Sequence, residues 1–331
     1  MGSEPSMNKS KRPINYLRLS VTDRCNLRCT YCMPEEGCAF VPHEEILTYE
    51  EMLHLVKLSV QSGIRKVRLT GGEPLVRKGF LGFLERLCTI EELNEVTLTT
   101  NGVLLKEFAA DIKDCGICRI NVSLDSLKAE RFSHITGRDF FERVWQGIQE
   151  ADRLGFSPIK INMVALRGIN DDEILDFARL TLEKPYHVRF IEFMPVGAQN
   201  CWSWEKFIST DEIRSQIETL GTLRPIKADR FGGPAERFAL EGSKGEIGFI
   251  GALSNHFCTQ CNRLRLTAEG HLRSCLFSER EIDIKSPLRN GNDDGHLLEL
   301  IRLAMESKPK DHGPLGQGPR KCVRQMSTIG G

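Results

Sequence analysis

The chain has 331 residues, 45 Lys and Arg balanced by 45 Asp and Glu, and 12 cysteines. Zero formal charge argues against a nucleic-acid coat or a polybasic membrane binder, and the length permits a sizeable core in one or two domains. Cysteine, at 12 of 331 or about 3.6%, falls below the roughly 8–10% of a small disulfide scaffold.

In chain order, residues 1–11 read as a flexible start. Met1–Pro13 is polar, so no secretion signal is expected. No run approaches the roughly 18 apolar residues of a membrane helix. A cytoplasmic protein is expected, where grouped cysteines more often mean metal than disulfide. Apolar, β-rich stretches follow at Ile14–Thr22, Lys66–Thr70, Glu95–Thr100, Arg119–Asp125, Ile159–Leu166 and His187–Met194, with helical patterns between them. Thr48 with Glu51 spells a capping box before one helix. Asn170 with Glu173 spells a second. Strand and helix in steady succession predict a parallel sheet, open or curved into a barrel.

The strands carry polar residues on one face. Arg18 and Ser20 share it, as do Lys66, Arg68 and Thr70, then Arg119, Asn121, Ser123 and Asp125, then Lys160 and Asn162. The opposite face is apolar. Parallel sheets are normally buried on both faces and read as continuous apolar runs, and closed eight-stranded barrels are filled with branched apolar side chains. Six strands with a polar face predict an incomplete barrel around a polar ligand; the alternative is a sheet with one wet face.

Two cysteine groups stand out. Cys25, Cys29 and Cys32 have the spacing C-x3-C-x2-C directly after the first strand. Three thiolates so close suit an iron–sulfur cluster with one iron lacking a protein ligand. The alternative is structural zinc, with Cys38 or His43 as fourth ligand. Gly71-Gly72-Glu73-Pro74 ends the second strand, and its glycines allow close backbone approach. Near the other end, Cys258, Cys261 and Cys275 form C-x2-C-x13-C, where zinc with His256 or His271 is a serious alternative. Arg263 and Arg265, two apart, project to one face of an extended segment and suit a phosphorylated ligand. There is no Walker A loop. Cys38, Cys88, Cys115, Cys118, Cys201 and Cys322 fit neither group and read as small buried packers; His134, His187 and His312 read as structural or solvated. From Lys308 to Gly331, eight of 24 residues are Gly or Pro, and the segment reads as a mobile basic tail outside the core.

C-x3-C-x2-C with Tyr31 before its last cysteine, followed by GGEP, resembles the radical S-adenosylmethionine superfamily. The C-terminal C-x2-C-x-R-x-R, a third cysteine and the terminal Gly-Gly extend the resemblance to the GTP 3′,8-cyclase family, over about Arg12 to Gly331. Matching stretches include Arg18-Leu-Ser-Val-Thr-Asp-Arg-Cys25, Leu69-Thr-Gly-Gly-Glu-Pro74, Leu98-Thr-Thr-Asn-Gly102, Ile120-Asn-Val-Ser-Leu-Asp125 and Arg189-Phe-Ile-Glu-Phe-Met194.

The resemblance implies an α/β fold: a partial (β/α)6 TIM-like barrel over residues 12–235, a C-terminal cluster-binding domain over 236–307, and the tail at 308–331. It implies two 4Fe–4S clusters, one on Cys25, Cys29 and Cys32, the other on Cys258, Cys261 and Cys275. S-adenosylmethionine would meet Tyr31, Gly72, Ser123 and Met194, with Gly71 assisting. GTP would meet Arg18, Arg68, Thr99, Lys160, Arg263, Leu264 and Arg265, and Gly330 and Gly331 would fold over the site. The implied reaction is radical cyclisation of GTP to (8S)-3′,8-cyclo-7,8-dihydroguanosine 5′-triphosphate, the first step of molybdopterin synthesis, with no side-chain acid–base pair. An external one-electron donor and, downstream, a cyclic pyranopterin monophosphate synthase are the implied partners, around a monomer or homodimer.

Overall fold

The computed structural model describes residues 12–33, 40–197, 201–227, 233–311, 322 and 324–330. Residues 1–11, Cys38, His312 and Gly331 lie outside the described residues.

Six strand–helix units run in sequence: β1 (Tyr16–Ser20), α1 (Tyr49–Gln61), β2 (Lys66–Thr70), α2 (Phe80–Cys88), β3 (Glu95–Thr100), α3 (Leu105–Asp114), β4 (Ile120–Ser123), α4 (Ala129–Thr136), α5 (Phe141–Arg153), β5 (Ile159–Ala165), α6 (Ile174–Glu183), β6 (His187–Glu192) and α7 (Thr210–Ile217). The capping box forms at α1: Thr48 accepts from the Glu51 backbone while Glu51 accepts from the Thr48 N–H at 2.7 Å. The second box does not form. The Asn170 amide is drawn inward, donating to the Asp125 and Val164 carbonyls and accepting from the Leu166 N–H at 2.8 Å. Glu173, fully buried, accepts from Ser126 Oγ and the Leu127 N–H and pairs with Arg131. Both residues tie βα loops together because buried polar groups must find partners.

β1 to β6 pair in order, all parallel. The C-terminal segment extends both edges of this sheet. β9 (Glu246–Ile250) pairs parallel with β6 and carries the antiparallel β8 (Glu236–Leu240) and β7 (Leu223–Ile226). β10 (Arg263–Leu266) pairs parallel with β1 and carries β11 (His271–Arg273) and β12 (Ile282–Asp283). The boundary expected at 235/236 thus falls inside the β7–β8 hairpin, and the residues beyond it continue the sheet. α8 (Lys285–Arg289) and α9 (Asp294–Glu306) follow. The apolar strand faces, Leu17, Leu19, Val67, Leu69, Ile120, Val122, Ile159, Ile161 and Met163 among them, are buried beneath the helices in one continuous core. Each fully buried side chain of this size contributes roughly 1.5–3 kcal/mol, which fixes strand register and so commits the alternate residues to the interior.

The described end of the tail does not lie outside the core. α10 (Met326–Ile329) packs on β1, and Ile329 is fully buried. Arg324 anchors it through ion pairs to Glu269 at 2.6 Å and Glu281 at 2.7 Å, and Glu281 also pairs with the buried Arg273. Composition flagged the Gly and Pro residues but not these specific partners. Gly330 has φ +73, and a Cβ there would lie 2.7 Å from Thr70 Oγ1, so only glycine fits this approach to the barrel mouth. Among the leftover cysteines, Cys322 is buried, while Cys118 is exposed and no packer. No described helix is long and apolar enough to cross a membrane.

Candidate functional site

Register fixes the interior. Arg265 on β10, Arg18 on β1 and Arg68 on β2 are paired side by side, which puts three guanidiniums in one cross-strand row. All three are buried. Like charges directly opposite one another repel, so burial together with Arg263 pushes Arg265 down to about 10, and burial together with Arg265 pushes Arg18 well below the ordinary arginine range. Arg189 on β6 is pushed down to about 10 by burial and Arg68.

These arginines line one cavity of about 280 Å³. The same walls hold Cys25, Cys29, Cys32, Tyr31, Gly71, Gly72, Thr99, Ser123, Met194, Cys258, Cys261, Arg263 and Cys275. Almost the whole expected set therefore converges on one space. Three described members do not. Leu264 turns away into the apolar core, fully buried, as its parity between Arg263 and Arg265 requires. Lys160 and Gly330 also lie outside the lining; burial and then Arg189, Arg68 and Lys66 push the Lys160 ammonium down to about 6.

The two cysteine groups sit at opposite ends. Cys25 follows the C-terminal end of β1. Cys261 precedes the N-terminal end of β10, which runs parallel to β1 with Arg263 level with Tyr16. β11 runs antiparallel, Arg273 level with Arg265, so Cys275 returns to the same low end. β1 spans four steps from Tyr16 to Ser20, about 13 Å at 3.3 Å per residue, and the arginine row lies between the two groups.

Donors are already aimed at the sulfurs. Cys25 Sγ accepts from the Leu27 N–H at 3.4 Å and from Asn101 Nδ2 at 3.6 Å, and Cys261 Sγ from Arg263 Nε at 3.4 Å. Such contacts are those expected around ligating thiolates. Among the described residues no three His, Cys, Asp or Glu side chains gather tightly enough to hold a single ion. A 4Fe–4S cluster asks for less convergence, since each thiolate binds a different iron. The electrostatics of the two ends differ. Burial and Glu73 push the Cys25 thiol up to about 11. Cys261 is equally removed from water, yet Arg263 and Lys308 draw it down to about 6.

At the upper rim, Tyr31 donates its hydroxyl to Asp125 at 2.6 Å, and Asp125 accepts from the Val164 N–H at 2.8 Å. Burial holds Asp125 up at about 6. Gly71 has φ +141, and a Cβ on Gly72 would lie 2.3 Å from the Arg24 carbonyl, so the GGEP turn lies flush against the first cysteine loop. Thr99 Oγ1 is buried with no hydrogen-bond partner, an orphan that a polar ligand would satisfy. The only carboxylate among the described lining residues is Asp125, against six cations: Arg18, Arg68, Arg189, Arg263, Arg265 and Lys308. Sequence reasoning missed Arg189 and Lys308 as cavity residues. Arg189 carried a signal, since it alternates with apolar partners in β6 as Arg18 does in β1. Lys308 carried none, lying at the start of a Gly- and Pro-rich stretch.

The Radical SAM superfamily model matches residues 19–181, and the Molybdenum Cofactor Synthesis C model matches residues 186–314. Over 322 residues, 97% of this chain and 98% of its own length, a protein of Thermodesulfovibrio yellowstonii named GTP 3′,8-cyclase is 51% identical. One of the same name from Geobacter sulfurreducens is 47% identical over 320 residues, covering 97% of this chain and 98% of its own. Among solved structures, Streptococcus suis SuiB bound to its precursor peptide SuiA superposes with a TM-score of 0.61 over 96% of this chain and 76% of its own, at 14% identity. At that identity the likeness concerns the fold alone, a radical S-adenosylmethionine partial barrel.

Proposed function

The chain belongs to the GTP 3′,8-cyclase family of radical S-adenosylmethionine enzymes, and on that premise we propose that it converts GTP to (8S)-3′,8-cyclo-7,8-dihydroguanosine 5′-triphosphate. A single observation carries the assignment: one cation-walled cavity with a three-cysteine group at each end.

Cys25, Cys29 and Cys32 would hold one 4Fe–4S cluster, and Cys258, Cys261 and Cys275 a second. When bound, the first cluster and S-adenosylmethionine supply a 5′-deoxyadenosyl radical from one externally donated electron. The chain's residues do the placing. Gly71 and Gly72 offer backbone at the rim, Ser123 and Met194 flank the cofactor, and Asp125 fixes Tyr31 through its hydroxyl. Arg18, Arg68, Arg189, Thr99, Arg263 and Arg265 receive the nucleotide, with Lys160 adding charge from behind. Arginine suits phosphate because its planar fork donates two parallel hydrogen bonds.

Held so, the substrate would present its ribose 3′ hydrogen toward the first cysteine group, where the bound cofactor would supply hydrogen-atom abstraction and be released as 5′-deoxyadenosine. The product would require C3′ to bond guanine C8, with a second electron from the external donor and one proton completing the dihydroguanosine. No side chain need abstract a proton at C3′; the protein's contribution is proximity, and small misplacement is costly. Gly330, buried against Thr70 at the mouth, helps exclude water from this space.

The test is anaerobic incubation of the iron-reconstituted protein with GTP, S-adenosylmethionine and a reductant. Both 5′-deoxyadenosine and a cyclised guanosine nucleotide are expected. Absence of both refutes the assignment.

A further inference from the structure

Lys308 stands apart among the cavity residues. It belongs to no strand and follows α9, yet it is buried in the cavity wall with Cys258, Cys261 and Cys275. Its ammonium donates to the Arg263 carbonyl at 2.7 Å and to the Ser274 carbonyl at 2.5 Å. Arg263 stands two residues after Cys261, and Ser274 directly precedes Cys275. The next residue is fastened from the other side: Arg12 donates to the Pro309 carbonyl at 2.5 Å and to the Cys258 carbonyl. A positive charge is thus fixed among the three segments that carry the second cysteine group.

A buried cation needs an opposite charge. The carboxylate among the described lining residues, Asp125, is at the upper rim with Tyr31. The anions that act on Lys308 are instead the sulfurs of Cys261 and Cys275: burial draws the ammonium below the ordinary lysine value, and those two sulfurs oppose the fall. A 4Fe–4S cluster held by three thiolates is itself an anion, and its one-electron reduction adds negative charge where water is excluded. Net charge, hydrogen bonds to sulfur and solvent exposure set the potential of such a cluster. A cation fixed close by stabilises the reduced form more than the oxidised one, and a low local dielectric strengthens the effect. Arg263 acts in the same direction through its Nε–H to Cys261 Sγ at 3.4 Å.

We propose that Lys308 tunes the second cluster: its fixed charge raises the reduction potential, so that one electron from the external donor enters the cluster core, with no bond made or broken, more readily than three thiolates alone would allow. This rests on the assignment of a 4Fe–4S cluster to Cys258, Cys261 and Cys275. The hydrogen bonds to the Arg263 and Ser274 carbonyls hold the charge in place; the charge itself, not the hydrogen bonds, moves the potential.

The test is an anaerobic redox titration of the cluster-loaded protein without nucleotide, followed by electron paramagnetic resonance. The full chain carrying Cys25→Ala, Cys29→Ala and Cys32→Ala identifies the signal of the second cluster. Lys308→Met should lower that cluster's potential: at a fixed poise near the midpoint the ratio of reduced to oxidised cluster falls about tenfold, which is about 59 mV for a one-electron couple. Lys308→Gln keeps N–H donors but no charge and should fall with Met, whereas Lys308→Arg keeps the charge and should stay near the wild type. The first cluster should hold its potential in all three. Should the Met variant lose iron or thermal stability, Gln against Arg carries the test. A Gln variant that titrates as the wild type does, which a role confined to tying β10 to Ser274 would give, overturns the proposal. So does an equal shift of both clusters. A wild type that reconstitutes only about four irons per chain, and loses them all with the three alanine replacements, refutes the second cluster itself.

Discussion

Lys160 offers a proton-linked readout of the cation wall. It lies on β5 beside Asn121 of β4 and His187 of β6. Burial first, then Arg189, Arg68 and Lys66, push its ammonium down to about 6, from the ordinary lysine value of 10.5. Between those two pH values the unfolded chain holds a proton that the folded, empty protein lacks. Stability of the empty protein therefore rises with pH across that window, by up to about 1.4 kcal/mol per pH unit from this one group. At pH 8 only about 1% of Lys160 carries charge. A triphosphate among these residues supplies the opposite charge and restores the proton. The nucleotide has none of its own to give at pH 8, its terminal phosphate having a second pKa near 6. GTP binding at pH 8 should thus take up about one proton and weaken about tenfold per pH unit above it. Anaerobic titration calorimetry of the cluster-loaded protein, in two buffers of different ionisation enthalpy, measures the uptake. In Lys160→Met the uptake should vanish. Buffer-independent heats in the wild type, or the same uptake in the Met variant, would refute this account of the wall.

Gly72→Ala would place a Cβ 2.3 Å from the Arg24 carbonyl. The loop bearing Cys25 must then move, so reconstituted iron should fall from about eight to about four per chain; retention of all eight would show that the loop yields without losing its ligands. Arg324→Gln removes the tail's pairs to Glu269 and Glu281. Limited proteolysis near the C-terminus should accelerate severalfold, while global stability falls by only about 1 kcal/mol, as expected for half-exposed ion pairs. An unchanged cleavage rate would mean that Ile329 burial alone holds α10.

The barrel was legible because strand parity is a local property. Arg18, Arg68 and Arg189 alternate with apolar partners, and burial of those partners leaves the charged side chains only the interior to occupy. The cysteine groups were legible through spacing. The Asn170–Glu173 pair misled because its letters match a capping box, whereas its partners, Asp125, Ser126 and Arg131, are fixed only once β4 and β5 are side by side. Lys308 and Arg324 were illegible for the same reason: each is held by groups more than thirty residues away. Nor could local pattern show that one C-terminal segment adds β10 to one edge of the sheet and β9 to the other. Pairing of distant strands is set by which edges remain open after β1 to β6 have assembled, and an exposed edge invites a strand.

That edge placement explains how the second cysteine group meets the first. Had the C-terminal segment folded as a separate lobe, Arg263 and Arg265 would have kept their spacing but not their register with Tyr16 and Arg18. Pairing β10 with β1 brings Arg265 beside Arg18 and Arg68 in one row, an arrangement that costs energy in the empty protein, since three buried guanidiniums repel. Part of that cost is offset from within: the Arg265 guanidinium donates to the Ile329 and Gly330 carbonyls of the tail. The same guanidinium is assigned to the nucleotide. Both contacts use Nη1, which leaves Nε and Nη2 to meet the phosphate proposed there, so the tail and the nucleotide would share one guanidinium. On the proposed assignment, tail and substrate are coupled through Arg265, and by reciprocity a tail that can no longer reach Arg265 should change nucleotide affinity by the factor with which the nucleotide changes tail docking.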